Sequence, residues 1–207
     1  MKEGCEIMPI NENTLEQVII SELQEKGYEY LYGPEIDRDY HEVILKDYFE
    51  SAMFKINPGI TVEIVEETYK IIKNLGLLKL EDMNAAFHKY LIEGVPVAYR
   101  LNGETATFTV HLIDFENPEK NDFKVINQYT IIEYKNKRPD VLVFINGIPV
   151  VLFELKNMVN EDTTIEDAYK QIKNYQLDIP SLFYYNAFNV ISDGLDTRVG
   201  TITSDDS

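Results

Sequence analysis

Two carboxylates and a lysine interrupt a strongly apolar part of the chain. Asp140 precedes the apolar residues 141–145, and Glu154 and Lys156 end the apolar run 149–155. Residues two apart on a strand project from one face, so Glu154 and Lys156 are expected side by side. A buried carboxylate is costly unless it is paired or binds a metal, and its oxygens suit Mg²⁺. The pattern favours metal-assisted phosphodiester hydrolysis, with the lysine orienting or deprotonating a water.

Whether Asp140 and Glu154 can share one ion depends on the turn between the two strands. A strict two-residue loop at Asn146-Gly147 would place Asp140 opposite Phe153 and leave the two carboxylates on opposite faces. A three-residue loop over 145–147, with Gly147 left-handed, would bring them to the same face. We predict the three-residue loop, or a bulge with the same effect.

The surrounding elements predict a mixed β-sheet flanked by helices. The runs 141–145 and 149–155 are typical of central strands buried on both faces. Residues 163–166, Thr-Thr-Ile-Glu, form a capping box for a helix reaching about Gln176, and an apolar strand over 187–191 follows. We therefore expect a β-α-β crossover. Further strands are predicted at 28–31, 97–101, 106–115 and 122–133, with a hairpin turn at Asn102-Gly103.

Residues 1–95 are predicted to be a mainly helical portion that precedes a core at 96–200. The first helix shows apolar residues at helical spacing after a cap at Asn13 or Thr14, and it ends at Gly27. Further helices are predicted over 36–55, 61–75 and 83–91. No motif accompanies these helices, so the simplest interpretation is a structural role.

Composition limits the class of protein. The 207 residues carry a net charge of −17, which argues against a chain that wraps nucleic acid with its whole surface. The single cysteine cannot form a disulfide within the chain, and it argues against a cysteine-based zinc site. Neither a transmembrane run nor a signal peptide is recognisable, so we expect a cytoplasmic protein without a membrane partner.

A Glu-x-Lys sequence alone is common, and an ordinary ion pair at a strand end is an alternative interpretation. Several motifs in order are more specific, however. Segments 121–129, 138–141, 146–151 and 154–156, continuing through Ala168 and Pro180 to 189–194 and 197–201, resemble the N-terminal nuclease domain of type I restriction enzyme R subunits. The resemblance is close over 79–207 and looser over 1–78. That domain belongs to the PD-(D/E)xK nucleases and has a restriction-endonuclease-like α/β fold.

The resemblance implies roles for individual residues. Asp140, Glu154 and Lys156 would be catalytic, with Asp140, Glu154 and the Leu155 carbonyl binding Mg²⁺ and Lys156 positioning the attacking water. Gln171 and Tyr175 match a QxxxY motif that contacts DNA beside the site. Their spacing of four also fits a helix that packs its tyrosine into the core.

A glutamate of the first helix often joins the metal site in related nucleases. Glu16 is the candidate here because it shares a helical stripe with Ile20, and Glu22 is its competitor. For either glutamate, a solvated surface position is the alternative.

The resemblance also implies partners. Double-stranded DNA would be the substrate, modification and specificity subunits would assemble with the R subunit, and ATP-driven helicase domains of the same subunit would translocate DNA before double-strand breaks are made. The chain has no P-loop sequence, so we expect ATP to act only through motor domains that this chain lacks. Two alternatives are a non-catalytic module that docks the motor on its partners, and a stand-alone repair nuclease of the same superfamily.

Overall fold

A computed structural model describes residues 12–101, 104–156 and 165–205 of the chain. The helices are α1 (Glu12–Glu25), α2 (Lys46–Ile56), α3 (Val62–Lys73), α4 (Leu80–Glu93), α5 (Ile165–Asp178) and α6 (Ser181–Tyr184). The strands are β1 (Glu29–Tyr32), β2 (Val95–Leu101), β3 (Glu104–Val110), β4 (Phe123–Asn127), β5 (Ile131–Ile132), β6 (Asn136–Lys137), β7 (Val141–Ile145), β8 (Ile148–Leu155), β9 (Phe188–Ser192) and β10 (Thr197–Gly200).

A six-stranded mixed sheet in the order β1-β4-β7-β8-β9-β10 forms the centre of the fold. β1 and β4 are parallel, as are β8 and β9, and the other neighbours are antiparallel. The predicted α/β class with a mixed sheet is therefore confirmed. β1 comes from the mainly helical first part of the chain, so that part contributes to the sheet as well as to its flanks, and the division near residue 95 stays a prediction.

The β-α-β crossover is confirmed. α5 follows β8, contacts both β8 and β9, and leads through α6 to β9, which runs parallel to β8. The threonines predicted to cap α5, at 163 and 164, lie outside the described residues, as does the predicted turn at 102–103 between the antiparallel strands β2 and β3.

The turn between β7 and β8 differs from the predicted three-residue loop. Asn146 and Gly147 alone connect the strands, and both have positive φ angles, 52° and 76°, as a tight two-residue hairpin turn requires. A bulge then shifts the register, because Phe144 pairs with Pro149 while Val143 pairs with Val151. The three-residue loop was wrong, and the alternative that we predicted with it, a bulge, is confirmed.

The two faces of the sheet pack against different elements. α1 covers one face, where Ile20 packs with Val125 and Val141 and with the partly buried Phe153. The other face carries the larger core, which includes Leu142, Leu152 and residues of the remaining helices. β7 and β8 are thereby buried on both faces, as their apolar sequences predicted.

Three predicted boundaries were wrong. Residues 36–45 are not helical, because Val43, Ile44 and Leu45 are all buried and three consecutive positions cannot all face the core of a surface helix. Residues 111–115 are not a strand. The run 122–133 is broken after Asn127, where Gln128 adopts a φ of 55°. The helix α6 and the edge strand β10 were not predicted.

Among the described residues, no helix is both long enough and apolar enough to cross a membrane.

Candidate functional site

The bulge in β8 brings the predicted carboxylates together. Val141 pairs with Phe153, so Asp140 and Glu154 are the next residues on their strands beyond that pair. They therefore share the face of Leu142 and Leu152 rather than lying on opposite faces. The two carboxyl groups are also close enough to interact electrostatically, because the charge of Glu154 contributes to raising the pKa of Asp140.

Asp140 is held by the backbone of the neighbouring strand. Its Oδ2 accepts a hydrogen bond from the Leu155 N–H at 2.7 Å. The pKa of Asp140 is raised to about 8, mainly by burial and to a smaller extent by the negative charge of Glu154. The hydrogen bond from the Leu155 N–H and the charge of Lys156 act in the opposite direction. Without a bound cation, this carboxyl group is therefore only partly ionised at neutral pH.

Glu154 is almost completely buried, with 2% of its surface exposed. Its Oε1 accepts a hydrogen bond from Lys156 Nζ at 2.8 Å, whereas its Oε2 has no hydrogen-bond partner. Burial raises the pKa of Glu154, and the charge and hydrogen bond of Lys156 limit that rise. A buried carboxylate oxygen without a partner is unusual in proteins and indicates a position where a cation or a donor can bind.

Lys156 is positively charged at this site. Burial by itself would lower the pKa of Lys156, but the charge and hydrogen bond of Glu154, with the charge of Asp140, raise it above the ordinary value. Of the two predicted actions of Lys156, orienting a water fits this state, because an ammonium group donates hydrogen bonds and cannot accept a proton.

Tyr175 of α5 lies beside the carboxylates and inside the core. Its side chain is 3% exposed, and burial followed by the charge of Glu154 raises its pKa. The side chain of Gln171 acts in the opposite direction, and the Tyr175 hydroxyl in turn lowers the pKa of Glu154, although it forms no hydrogen bond with Oε2. The helix thus packs its tyrosine inward, as the structural alternative predicted, and at the same time places the Gln171–Tyr175 pair next to the site. A DNA contact of this pair stays a prediction.

Glu16 points inward from α1, whereas its competitor Glu22 is exposed. The Oε2 of Glu16 accepts a hydrogen bond from Asn127 Nδ2 and its Oε1 accepts one from Gln128 Nε2, each at 2.9 Å. Tyr30 OH in turn donates to Asn127 Oδ1 at 3.0 Å. Glu16 also contributes a small part of the rise in the pKa of Asp140, so it lies near the site. Its role as a metal ligand stays a prediction.

Asn127 and Gln128 were missed by the sequence reasoning. Asn127 ends β4 and Gln128 follows it. The Gln128 N–H donates to the carbonyl of Asp140, the residue before β7, at 3.1 Å, which connects the Glu16 network to Asp140. Both lie in segment 121–129, which carries part of the resemblance, but nothing in the sequence assigned them a role, because their partner Glu16 lies more than a hundred residues away in the chain.

The residues fit a divalent cation that binds mainly through two carboxylates. Among the described residues, no group of three or more His, Cys, Asp or Glu side chains could hold a metal. Mg²⁺ retains several waters and is often bound through one or two carboxylates. The Oε2 of Glu154, buried without a partner, and the mutual repulsion of Asp140 and Glu154 are both relieved by a cation between them.

The chain is similar in sequence to known proteins over nearly its whole length. The family model described as "Type I restriction enzyme R protein N terminus" matches residues 9–207. The chain is 38% identical over 211 residues to the putative type I restriction enzyme MjaIXP endonuclease subunit of Methanocaldococcus jannaschii, a match covering 97% of this chain and 20% of that protein. It is 34% identical over 206 residues to the type I restriction enzyme HindI endonuclease subunit of Haemophilus influenzae, covering 95% of this chain and 20% of that protein. The chain thus spans about one fifth of the length of these relatives.

Proposed function

Because the chain belongs to the family of type I restriction enzyme R protein N termini, we propose that it is the metal-dependent endonuclease domain of such a subunit. The reaction would be hydrolysis of DNA phosphodiester bonds, with Asp140, Glu154 and Lys156 as the catalytic residues. One observation supports this most strongly. Asp140 and Glu154 occupy one face of two buried strands, and the Oε2 of Glu154 is buried without a hydrogen-bond partner.

Asp140 and Glu154 would hold Mg²⁺ together with the Leu155 carbonyl. The N–H and C=O of one residue in a strand point towards the same neighbouring strand, and the Leu155 N–H points to Asp140. We therefore expect the Leu155 carbonyl to face the same space as the two carboxylates. When bound, the cation would polarise a phosphoryl oxygen and stabilise the departing oxyanion.

Lys156 would orient the attacking water as a hydrogen-bond donor. Its ammonium group is anchored to Glu154 Oε1 at 2.8 Å, and its charge favours negative charge that develops on the scissile phosphate. Tyr175 packs behind the carboxylates and fixes the direction of α5, so that Gln171, one turn earlier, can contact the DNA backbone.

The charge of the chain bears on how the domain reaches DNA. With a net charge of −17, it lacks the overall basic surface that supplies most of the affinity for phosphates. We infer that most of the DNA affinity comes from other parts of the assembly. These would be ATP-driven motor domains of the same subunit, together with modification and specificity subunits.

Plasmid cleavage tests the proposal. We expect this chain alone to be inactive or weakly active, and we expect supercoiled DNA to be nicked or cut in the presence of Mg²⁺ and ATP when the chain is joined to motor domains and assembled with modification and specificity subunits. Asp140→Asn is expected to lower the rate at least about 100-fold, the scale of losing a group that stabilises transition-state charge. Asp37→Asn, which removes an exposed carboxylate outside the site, is the control. Cleavage unaffected by Asp140→Asn, or no cleavage by the assembly that includes the motor domains, would contradict the proposal and favour a docking role.

A further inference from the structure

A cavity separate from the carboxylates lies between α5 and the strands β9 and β10. Its volume is about 430 Å³, within the range of pockets that hold small organic ligands. The segment that follows β10 closes one side, because Lys173 Nζ and Gln176 Nε2 both donate to the Ile202 carbonyl, at 3.2 and 3.0 Å. Tyr169 OH donates to the Ser204 carbonyl at 3.3 Å. The wall is thus held to α5 by three hydrogen bonds.

Asn189 supplies an unsatisfied amide to this cavity. Its side chain is 5% exposed, and neither its Nδ2 nor its Oδ1 has a hydrogen-bond partner. Most buried polar side-chain atoms in proteins are hydrogen-bonded, so an amide with both ends unsatisfied indicates that an external group completes it. Rotation of the amide by 180° changes nothing in this argument, because one donor and one acceptor remain side by side in either orientation.

The rest of the lining suits a flat ring. Ile172 of α5, together with Ile191 and Val199 of β9 and β10, forms apolar walls, and the Tyr169 ring completes them. Lys173 Nζ lies 5.2 Å from the centre of the Tyr169 ring, and the lining also carries Arg198 and the acidic Glu166 and Asp205. Aromatic and apolar surfaces of this kind accept the faces of nucleobases with little dependence on sequence.

We propose that this cavity binds a nucleobase through the Asn189 amide. Asparagine pairs with the adjacent donor and acceptor on a base edge, as it does with N6 and N7 of adenine, and the flat faces of the base would contact the apolar walls. The base belongs either to a free nucleotide or to an unpaired position in a DNA strand. Both sources present the same chemistry to Asn189.

The position of the cavity relative to the carboxylates favours a link to nucleic acid. Asn189 pairs with Leu152 and Ile191 pairs with Glu154, so both cavity residues lie on the strand next to the one that carries the carboxylate. The proposal does not depend on cleavage, and its test is carried out in EDTA. A failure here therefore leaves the nuclease proposal unaffected, and a failure of cleavage leaves this proposal unaffected.

Two kinds of probe distinguish the sources. Binding of the four deoxynucleoside monophosphates to the 207-residue chain is measured by calorimetry. Binding of short single-stranded oligonucleotides, each with one variable base or an abasic position flanked by thymines, is measured by fluorescence anisotropy. We expect saturable binding of at least one mononucleotide, or tighter binding of one oligonucleotide than of its abasic counterpart. The first result identifies a free nucleotide and the second a base within a strand.

Asn189→Leu is the decisive variant, because it keeps the size of the side chain and removes the amide. It is expected to weaken binding at least tenfold and to raise the midpoint of thermal unfolding. Asn174→Leu makes the same change at an exposed position of α5 that does not line the cavity and should leave binding unchanged. Val199→Trp, at a rim position that is 66% exposed, should also weaken binding and guards against misfolding of the first variant.

Three results would overturn the proposal. They are the absence of saturable binding by any mononucleotide or oligonucleotide, equal binding of the abasic and base-containing strands with no mononucleotide bound, and unchanged binding by Asn189→Leu.

Discussion

Asp140 lies across from Glu154 because β8 contains one residue, Val150, that has no partner in β7. Phe144 pairs with Pro149 and Val143 with Val151, so every residue beyond Val150 is displaced by one position relative to a regular hairpin. If Val150 instead paired with Val143, as in a regular hairpin, Asp140 would face Phe153 and the two carboxylates would lie on opposite faces of the sheet. The bulge therefore produces the site.

Because Lys156 is positively charged, its substitution is expected to affect metal binding and catalysis differently. Lys156→Met removes a cation beside the carboxylates, so we expect Mg²⁺ binding to be retained or strengthened. Cleavage is expected to fall about 100- to 1,000-fold, the usual loss when one group that stabilises transition-state charge is removed. Calorimetry and plasmid cleavage measure the two effects. Loss of both in parallel would mean that Lys156 supports the fold of the site rather than the reaction.

The raised pKa of Asp140 predicts how stability depends on pH without metal. A carboxyl group with a folded-state pKa of about 8, against an ordinary 3.8, binds more protons in the folded state than in the unfolded state. Its contribution to stability is complete below its ordinary pKa and is lost as the pH rises through about 8.

Urea unfolding in EDTA across this pH range measures the effect. Asp140→Asn cannot ionise and serves as the reference, so the wild type should lose stability relative to it as the pH rises. Addition of Mg²⁺ should reverse the difference at high pH, because the cation favours the ionised carboxylates. A wild type that gains stability relative to Asp140→Asn as the pH rises in EDTA would show that Asp140 is ionised and stabilised by protein groups alone.

Glu16 connects α1 to the end of β4, and this contact can be tested independently of metal. Glu16→Gln replaces an acceptor oxygen with an amide that faces the Asn127 and Gln128 donors, so one or more buried groups lose their partners. We expect the free energy of unfolding to fall by about 1–3 kcal/mol. Glu22→Gln, on the same helix but exposed, should change it by less than about 0.5 kcal/mol. Equal effects of the two substitutions would show that the Glu16 hydrogen bonds contribute nothing.

The local patterns of the chain predicted the strands of the site well. The run 141–145 coincides with β7, and the spacing of Glu154 and Lys156 places both on one face, where their hydrogen bond is observed. Such features depend on side-chain alternation within a few residues, which a sequence displays directly.

Features that depend on contacts between residues far apart in the chain could not be predicted from the sequence. Val43, Ile44 and Leu45 fall within the helix predicted over 36–55, but the backbone of this segment forms other hydrogen bonds. Leu45 N–H donates to the Gly147 carbonyl at 2.9 Å, and Tyr129 OH donates to the Val43 carbonyl at 3.0 Å. The unsatisfied amide of Asn189 has no sequence signal either, because any asparagine in an apolar strand looks the same until its neighbours are known.

The most direct test of the account is titration of Mg²⁺ into the metal-free chain by calorimetry at about pH 8, where Asp140 is substantially ionised. We predict that the wild type binds one ion and that Asp140→Ala does not, while the exposed-site variant Asp37→Asn binds as the wild type does. Equal binding by the wild type and Asp140→Ala, or no binding by the wild type in the millimolar range, would contradict the claim that Asp140 and Glu154 together hold a divalent cation.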